Sequence, residues 1–302
     1  MRFSVRGLAV VPMVLTLAAA SACGATGDAG PAASAGVDAK APLYDKIPAS
    51  IRDAGVIRFA GDNHPPYRIV DPKNGSVTGI DKDIQDALAK VLGVPTKIEI
   101  ISSMPAALSG MLANRYDAFN GPVQDTADRE KQFDAVVWMT TTTSYLVPAK
   151  GGAQVASSAD LCGKRIAAVT GSVVEGQAKK LSEWCAGKGK PPATLVPLAD
   201  TNATLLATKA GRADAAGLTL TGALYVMQAE PDVYGNFKQT AEQGAGTDQL
   251  ALLAPKSASL APVLLDAFKA IFQSGEYTKI MRKWGLQEAA VDAPKLNTAA
   301  GS

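Results

Sequence analysis

The sequence predicts an α/β protein of two lobes, on three observations. Short apolar runs rich in β-branched residues alternate with stretches whose apolar residues recur at helical spacing. The alternation stops near Lys150 and then starts again. About 250 residues take part, which is more than a single hydrophobic core usually holds. Because strands that alternate with helices form parallel sheets covered by helices on both faces, each run predicts one lobe.

The first run contains two strand–helix units. In chain order they are a strand over 56–60, a helix over 81–92, a strand over 97–101 and a helix over 105–114. The helix over 81–92 has the clearest pattern, since Ile84, Leu88 and Leu92 share one apolar stripe. Gly93 then follows as a typical residue after a helix end.

The second run repeats this order, and a final stretch follows it. The run contains a strand over 165–169, a helix over 174–185, a strand over 194–196 and a helix over 202–210. The final stretch contains a strand over 249–254 and helices over 260–273 and 276–284. The residues from 289 to 302 are mostly small or polar, and we expect them to form a disordered tail.

The N-terminal residues predict export from the cytoplasm. Arg2 and Arg6 precede an apolar run over 8–20, which has the length of a signal-peptide core and is too short to span a membrane. Ala20-Ser21-Ala22-Cys23 resembles the lipobox of bacterial lipoproteins. We therefore expect a signal peptide over 1–22 and a lipid on Cys23; ordinary cleavage after Ala22 is the alternative.

The region after the signal peptide has the composition of a linker. Residues 23–44 are rich in Ala, Gly, Ser and Asp, which predicts a lipid anchor followed by a flexible tether. Loss of residues 1–22 removes two arginines, so the formal charge falls from +2 to about zero. The chain also lacks a basic stripe interleaved with aromatic residues, and this excludes nucleic acid as a partner.

Two further cysteines, Cys162 and Cys185, predict a disulfide. In an exported protein an isolated pair is more often a disulfide than a metal site or a nucleophile. A ring of roughly twenty residues would stabilise the fold by ~3 kcal/mol. His64 is the only histidine, which excludes His-rich zinc sites and leaves few ways to build a Ser-His or Cys-His pair. We therefore expect no metal and no cofactor.

Arg129 is the first candidate ligand-binding residue. It follows a Gly/Pro-containing loop over 121–128 that also carries amide and hydroxyl donors. A guanidinium in such a setting suits a planar carboxylate, which it binds through paired, charge-assisted hydrogen bonds. On this pattern alone, a surface arginine in a helical turn is the alternative.

Several short motifs resemble one protein family in their order and spacing. They are Gly79-Ile80-Asp81-Lys82-Asp83-Ile84, Asn114-Arg115-Tyr116-Asp117, Thr126-Ala127-Asp128-Arg129, Leu161-Cys162-Gly163-Lys164-Arg165-Ile166, Gly171-Ser172, Ala210-Gly211-Arg212-Ala213-Asp214-Ala215 and Ser274-Gly275-Glu276-Tyr277. Residues 50–286 thus resemble the extracellular amino-acid-binding proteins of ATP-binding-cassette (ABC) importers, solute-binding protein family 3. The resemblance implies a type II periplasmic-binding-protein-like fold, in which two hinge strands join two lobes and the ligand lies in the cleft between them.

The resemblance also implies a division of the chain and a function. Lobe 1 would comprise residues 45–142 and a return segment over 246–288, and lobe 2 would comprise residues 143–245. The protein would be a monomeric receptor that delivers a small carboxylate-bearing solute to ABC permease subunits. An alternative on the same scaffold is a dehydratase of cyclic acids. That enzyme needs a general acid in the cleft, for which His64 and Glu175 are the candidates.

The resemblance assigns most of the site residue by residue. Arg129 matches the arginine that pairs with the ligand α-carboxylate, and Gln124 stands where a small hydroxyl residue usually helps to hold it. Gly121 and Pro122 match the loop whose carbonyl groups usually receive the ligand ammonium. Ser172 matches a donor at the start of a lobe 2 helix, where backbone amides favour an anion.

Three positions of the expected site, Pro122, Gln124 and Thr219, depart from the usual pattern, and His64 has two alternative roles. His64 falls near an aromatic residue that packs over the ligand side chain; a solvent-facing imidazole is the alternative. Thr219 stands where the family places the aspartate that binds the α-ammonium, and a hydroxyl group cannot replace that charge-assisted bond. We therefore expect a carboxylate-bearing ligand that is not an ordinary α-amino acid held in the usual way. Alternatively, Asp62, Asp125 or Glu175 takes over the ammonium.

Overall fold

A computed structural model describes residues 36–299 of the chain. The expected signal peptide over 1–22, the lipidation of Cys23 and the first part of the tether lie outside the described residues. Between residues 36 and 299, no helix combines the length and the apolar character that a membrane span requires.

The described residues form α-helices and β-strands in alternation. The α-helices are α1 (Ala49–Ala54), α2 (Ile80–Leu92), α3 (Met104–Leu112), α4 (Val173–Gly187), α5 (Thr201–Lys209), α6 (Leu220–Ala229), α7 (Ala261–Gln273) and α8 (Glu276–Lys283). The strands are β1 (Ile57–Gly61), β2 (Ile69–Val70), β3 (Val77–Thr78), β4 (Thr96–Ile100), β5 (Ala118–Phe119), β6 (Phe133–Thr141), β7 (Thr143–Pro148), β8 (Arg165–Val169), β9 (Thr194–Leu198), β10 (Ala215–Thr219), β11 (Tyr234–Lys238), β12 (Asp248–Pro255) and β13 (Ala290–Leu296). Every helix and strand that was predicted above with a residue range is present. Both ends of each lie within two residues of the predicted ends.

Two main sheets define the two lobes. The sheet of lobe 1 has the strand order β13-β6-β12-β5-β1-β4, and the sheet of lobe 2 has the order β11-β7-β10-β8-β9. The α/β fold class with two lobes is therefore confirmed. Strand β1 pairs in parallel with β4 and β5, and β8 pairs in parallel with β9 and β10, as the alternation predicts.

The sheets are not parallel throughout, so that part of the prediction is wrong. Strands β12 and β13 run antiparallel to β6, and strands β10 and β11 run antiparallel to β7. For β6 and β12 the cause is the passage between lobes: β6 ends at Thr141 and β7 begins at Thr143, so the chain leaves lobe 1 along β6 and returns along β12. An outgoing and a returning strand that pair must be antiparallel.

Each lobe has buried apolar residues of its own, and one cluster that lies mainly in lobe 1 also includes Ala168, Val173 and Val174 of lobe 2. In lobe 1, the buried indole of Trp138 stacks on Phe268 of α7 with ring centroids 6.1 Å apart. In lobe 2, Cys162 and Cys185 form the predicted disulfide with their Cα atoms 5.5 Å apart. Cys185 belongs to the buried cluster of lobe 2, so the disulfide ties α4 to the segment before β8.

The expectation of a flexible tether is wrong over residues 36–44. The backbone N–H of Asp38 donates to the Gly93 carbonyl at 2.8 Å, and the N–H of Leu43 donates to the Val91 carbonyl at 3.1 Å. Gly93 has φ +72°, and a Cβ there would lie 2.1 Å from the Asp38 carbonyl oxygen. The end of α2 offers carbonyl groups without helical partners, and composition alone does not show that a linker pairs with them.

The expectation of a disordered tail from residue 289 is wrong up to residue 299. Strand β13 pairs with β6 and lies at the edge of the lobe 1 sheet. Its register shifts between Ala290 and Lys295, so the pairing is interrupted in its middle. Edge strands often carry charged residues and proline. Strand β13 contains Asp292, Pro294 and Lys295, so its composition resembles that of a disordered tail.

Candidate functional site

Residues of both lobes line a small cavity, which we call the interlobe cavity. The lining residues are His64, Pro122, Val169, Ser172, Val173, Val174, Gly217, Leu218 and Thr219. Its volume is about 10 Å³, which suffices for about one water molecule. The lobes are therefore closed on each other, and a solute can enter only when they separate.

Four of the seven predicted ligand-binding residues line this cavity. They are His64, Pro122, Ser172 and Thr219. The alternative of a solvent-facing imidazole is wrong, since His64 is only 4% exposed. The other three predicted residues, Gly121, Gln124 and Arg129, are not part of the lining; they lie in the adjoining loop over 121–129, which we call the Arg129 loop.

Two helices of lobe 2 begin at the interlobe cavity. Ser172 caps α4, where its hydroxyl oxygen accepts from the Glu175 N–H at 3.3 Å. Thr219 caps α6, where its hydroxyl oxygen accepts from the Gly222 N–H at 3.2 Å. Because β8 and β10 are parallel neighbours, the helices that follow them start at the same edge of the sheet. Helix N-termini carry partial positive charge and favour an anion.

Arg129 connects the two lobes directly. Its Nη1 donates to the Gln124 carbonyl oxygen of lobe 1 at 2.7 Å, and its Nη2 donates to the Gly171 carbonyl oxygen of lobe 2 at 2.6 Å. Burial lowers the pKa of the guanidinium, although the charges of Asp125 and Asp128 oppose this. The charge is thus partly desolvated, and two backbone carbonyl oxygens accept hydrogen bonds from the guanidinium.

The Arg129 loop begins at a position that only glycine fits. Gly121 has φ +139°, and a Cβ there would lie 2.4 Å from Nη1 of Arg68. The Gly121 carbonyl oxygen accepts from the Val123 N–H at 2.7 Å. Farther along, Gln124 pairs with Leu250 of β12 in an isolated bridge, so the loop is attached to the strand on which the chain returns to lobe 1.

Asp248, at the start of β12, joins the Arg129 loop to lobe 2. Its Oδ1 accepts from Nε2 of Gln124 at 2.6 Å and from Nε2 of Gln177 in α4 at 2.7 Å. Burial raises the pKa of Asp248, and the Gln177 hydrogen bond only partly offsets this. Sequence reasoning missed Asp248, because the residues that it joins are separated by long stretches of chain.

A buried charged cluster lies next to His64, and sequence reasoning missed its central residue, Arg68. Arg68 is 1% exposed and donates to Asp62 Oδ1 at 2.7 Å, to the Asn120 carbonyl oxygen at 2.5 Å and to Asp81. Nδ1 of His64 is 3.3 Å from Asp62 Oδ2. The only sequence signal was a set of polar residues just after β1, which does not distinguish a buried cluster from a surface loop.

The two carboxyl groups of this cluster titrate differently. Burial would raise the pKa of Asp62, but hydrogen bonds and charges from His64 and Arg68 outweigh it and hold that pKa well below its usual range. Burial raises the pKa of Asp81 to about 7, and the attraction of Arg68 does not offset it. His64 and Arg68 together thus keep Asp62 ionised, while burial lets Asp81 hold a proton near neutral pH.

None of the three acids considered as substitutes lines the interlobe cavity. Asp62 is paired with Arg68, and Asp125 Oδ2 accepts from the backbone N–H and the hydroxyl of Thr298 at 2.7 and 2.8 Å. Glu175 accepts from the Gly171 N–H at 2.6 Å and pairs with Lys179. Although burial opposes it, these two partners hold the pKa of Glu175 below its usual value, so its carboxylate does not suit a general acid.

Hydroxyl groups bridge the lobes beside Thr219. The Tyr67 hydroxyl of lobe 1 is 2.6 Å from Thr221 Oγ1 of lobe 2, and Thr221 Oγ1 is 3.1 Å from Thr219 Oγ1. The cavity therefore has hydroxyl groups and apolar walls at this side. Among residues 36–299, no group of three or more His, Cys, Asp or Glu side chains is placed to hold a metal ion.

Two α/β lobes that close on an interlobe cavity define the class of ligand-binding receptors that enclose a solute by hinge motion. Residues 57–287 match the model of the bacterial extracellular solute-binding proteins, family 3. This chain belongs to that family, so the family inferred from the sequence motifs is confirmed.

Two proteins are similar to this chain in sequence, and a crystal structure is similar to it in fold. The arginine-binding protein ArgT of Corynebacterium glutamicum is 25% identical over 262 residues, which cover 83% of this chain and 81% of ArgT. The L-cystine-binding protein TcyA of Bacillus subtilis is 27% identical over 161 residues, covering 53% of this chain and 56% of TcyA. The crystal structure of a substrate-binding protein of an amino acid ABC transporter superposes with a TM-score of 0.66 at 25% identity, covering 77% of this chain and 100% of the other.

Proposed function

We propose that this protein is the extracytoplasmic receptor of an ABC importer and binds a small carboxylate-bearing solute, an amino acid or an amino-acid-like compound, by closure of its two lobes. The observation that carries the proposal is the position of Arg129. Its guanidinium spans the lobes beside the start of α4 and uses two carbonyl oxygens as acceptors. A carboxylate is a stronger acceptor for a desolvated guanidinium than a carbonyl group is, so a solute carboxylate would displace one of these bonds.

The carboxylate would lie between Arg129 and Ser172. Arg129 supplies the charge from lobe 1, and the first turn of α4 supplies backbone amides from lobe 2. Gln124 and Gly121 shape the loop that holds the guanidinium, while Pro122 and His64 cover the solute from lobe 1. Because the groups from both lobes converge on one anion, its binding favours the closed arrangement.

Thr219 determines how the rest of the solute is held. No carboxylate lines the interlobe cavity, and an ammonium buried without one loses several kcal/mol. The proposed solute therefore lacks a free α-ammonium or holds it outside this lining. ArgT is an arginine-binding protein and TcyA an L-cystine-binding protein, which supports amino-acid-like solutes as the starting point of a search.

The remaining features fit a receptor attached to a membrane. We assign residues 1–22 to the signal peptide and Cys23 to the lipid. Lobe 1 is assigned to residues 45–142 with 246–288, and lobe 2 to 143–245. The receptor would act as a monomer and deliver its solute to permease subunits, without turnover. Cyclic acids incubated with the receptor for a long time should be recovered unaltered; product formation would support the dehydratase instead.

The proposal can be tested by solute binding to the mature chain. A thermal-shift screen against amino acids, their 2-hydroxy analogues and small organic acids should find a solute that raises the melting temperature. Calorimetry with that solute should show that Arg129→Ala lowers affinity at least a hundredfold, because a desolvated charge pair is lost. Arg282→Ala, on the exposed face of α8, is the matched control. Unchanged affinity in Arg129→Ala would refute the carboxylate clamp.

A further inference from the structure

We infer that the C-terminal segment over 290–299 is a brace that positions the Arg129 loop for solute binding, and that Thr298 is a positioning residue acting through Asp125. The inference rests on the proposed role of Arg129 as the carboxylate-binding residue. It assigns a function to a segment that follows the family match, which ends at residue 287.

Only the first half of the Arg129 loop forms backbone hydrogen bonds with a strand of the sheet. Its first half is held by β12, where the Ala251 N–H donates to the Val123 carbonyl at 3.0 Å and the Asp125 N–H donates to the Gln249 carbonyl at 3.0 Å. The second half, from Thr126 to Arg129, pairs with no strand. Its backbone is closed by a turn in which the Glu130 N–H donates to the Thr126 carbonyl at 2.9 Å. The guanidinium itself is held by the Gln124 and Gly171 carbonyl oxygens, so the support that this half needs is for its backbone.

The C-terminal segment supplies this support through two carboxylates on either side of Arg129. Asp125 Oδ2 accepts from the Thr298 N–H at 2.7 Å and from its hydroxyl at 2.8 Å. Glu130 Oε1 accepts from the Ala299 N–H at 2.8 Å. Both acidic side chains are buried, so each hydrogen bond replaces water that the carboxylate has lost.

Asn297 fixes the register of the C-terminal segment against strand β6. Its N–H donates to the Ala135 carbonyl at 2.9 Å, and its Oδ1 accepts from the Ala135 N–H at 2.8 Å. Its amide nitrogen also donates to Asp134 Oδ1 at 2.9 Å. The segment thus holds the start of β6, just after Arg129, and the loop just before it.

Burial raises the pKa of Asp125, and a hydrogen bond with Glu130 raises it further, while the two bonds from Thr298 oppose both effects. Thr298 thus favours the ionised form of Asp125, whose charge lies near the Arg129 guanidinium. Loss of the Thr298 hydroxyl should therefore affect both the order of the loop and the electrostatic setting of Arg129.

Hydrogen exchange of the ligand-free protein tests the inference without a known solute. In Thr298→Val the backbone amides of 126–130 should exchange faster, while those of α4 and α7 keep the wild-type rate. Thr298→Ser retains the hydroxyl and should restore slow exchange. Thr278→Val, on the exposed face of α8, is the matched control. Equal exchange in the Val and wild-type proteins, or faster exchange spread over all of lobe 1, would overturn the positioning role.

Solute affinity provides the second measurement. For the solute found by thermal shift, Thr298→Val should raise Kd about tenfold, or about 1.4 kcal/mol. In an Arg129→Ala background the same substitution should change Kd much less, since the residue that it positions is gone. Equal effects in both backgrounds would overturn the inference. Failure to find any solute would count against the proposed function, whereas the exchange result stands by itself.

Discussion

Thr219 occupies the end of β10, where it caps α6 and lines the interlobe cavity. An aspartate at this position would keep the cap, because carboxylate and hydroxyl oxygens both accept from the third backbone amide. It would also add the negative charge that the lining lacks. Thr219→Asp should therefore strengthen binding of α-amino acids relative to their 2-hydroxy analogues by at least tenfold, measured by calorimetry.

The matched control for this change is Thr219→Asn. Asparagine has nearly the shape of aspartate and can cap a helix, but it carries no charge. If the Asn and Asp variants prefer amino acids equally, the preference does not depend on charge, and the explanation from the missing aspartate is wrong.

The carboxyl group of Asp81 makes the stability of the folded protein depend on pH. Its folded-state pKa is about 7, above the ordinary value of ~3.9 in an unfolded chain. The folded protein therefore keeps a proton that the unfolded chain releases. The resulting stabilisation is fully present below about pH 4 and is lost as pH rises to about 7.

Asp81→Asn should remove this part of the pH dependence. Urea denaturation between pH 4 and pH 7 should show the wild type losing stability relative to the variant, by at most about 1.4 kcal/mol per pH unit. A constant difference between the two proteins across this range would mean that Asp81 is ionised throughout, and that Arg68 compensates both of its carboxylate partners.

Individual candidate residues could be predicted when they belong to a local motif. Arg129, Ser172 and Thr219 were predicted as ligand-binding residues because neighbouring residues fix their register within short patterns. Arg68 and Asp248 were not, since their partners lie in separate segments and their burial follows from tertiary packing. A polar residue after a strand looks the same in sequence whether it faces solvent or a buried carboxylate.

At the scale of the element, helices with a regular amphipathic pattern were predicted well. Helices α2 and α7 bury one face each, so their periodicity is visible in the sequence. Helix α6 was missed because its first residues, Leu220-Thr221-Gly222, are as typical of a strand end as of a helix start. Strand β13 and residues 36–44 were missed because backbone hydrogen bonds attach them, and these do not depend on side-chain composition.

The disulfide restrains helix α4 within lobe 2. It connects α4, which is capped by Ser172, to the segment before β8. Replacement of Cys162 and Cys185 by serine should lower the free energy of unfolding by ~3 kcal/mol, measured by urea denaturation. Wild-type protein treated with a reductant under denaturing conditions and refolded should match the variant. Equal stability of the oxidised and serine forms would show that packing alone holds α4.

At the scale of the whole molecule, Asp248 connects lobe closure to the Arg129 loop. Asp248→Ala would leave the amides of Gln124 and Gln177 without their shared acceptor, at a cost of about 1–3 kcal/mol for the buried donor Gln177. We expect the closed arrangement to lose population, so small-angle scattering of the ligand-free variant should give a larger radius of gyration than the wild type.

Asp214→Ala provides the comparison for this whole-molecule prediction. Asp214 pairs with Arg165 at 2.8 Å, and both residues lie within lobe 2. Its loss should leave the radius of gyration unchanged. Equal expansion of both variants would indicate general loosening, and no expansion of Asp248→Ala would show that the lobes stay closed without this link.

The position of β13 in the chain has a consequence for biogenesis. Lobe 1 is assembled from separate segments, and the strand that completes its sheet edge follows α8. As the chain emerges during synthesis and export, its domains fold in the order in which they appear. Lobe 2 is one continuous segment and can form early, whereas lobe 1 stays incomplete until the last of its strands has emerged. If Arg129 and its brace act as proposed, a chain that ends before β13 would form lobe 2 but would lack the segment that holds the Arg129 loop, and solute binding would be acquired last.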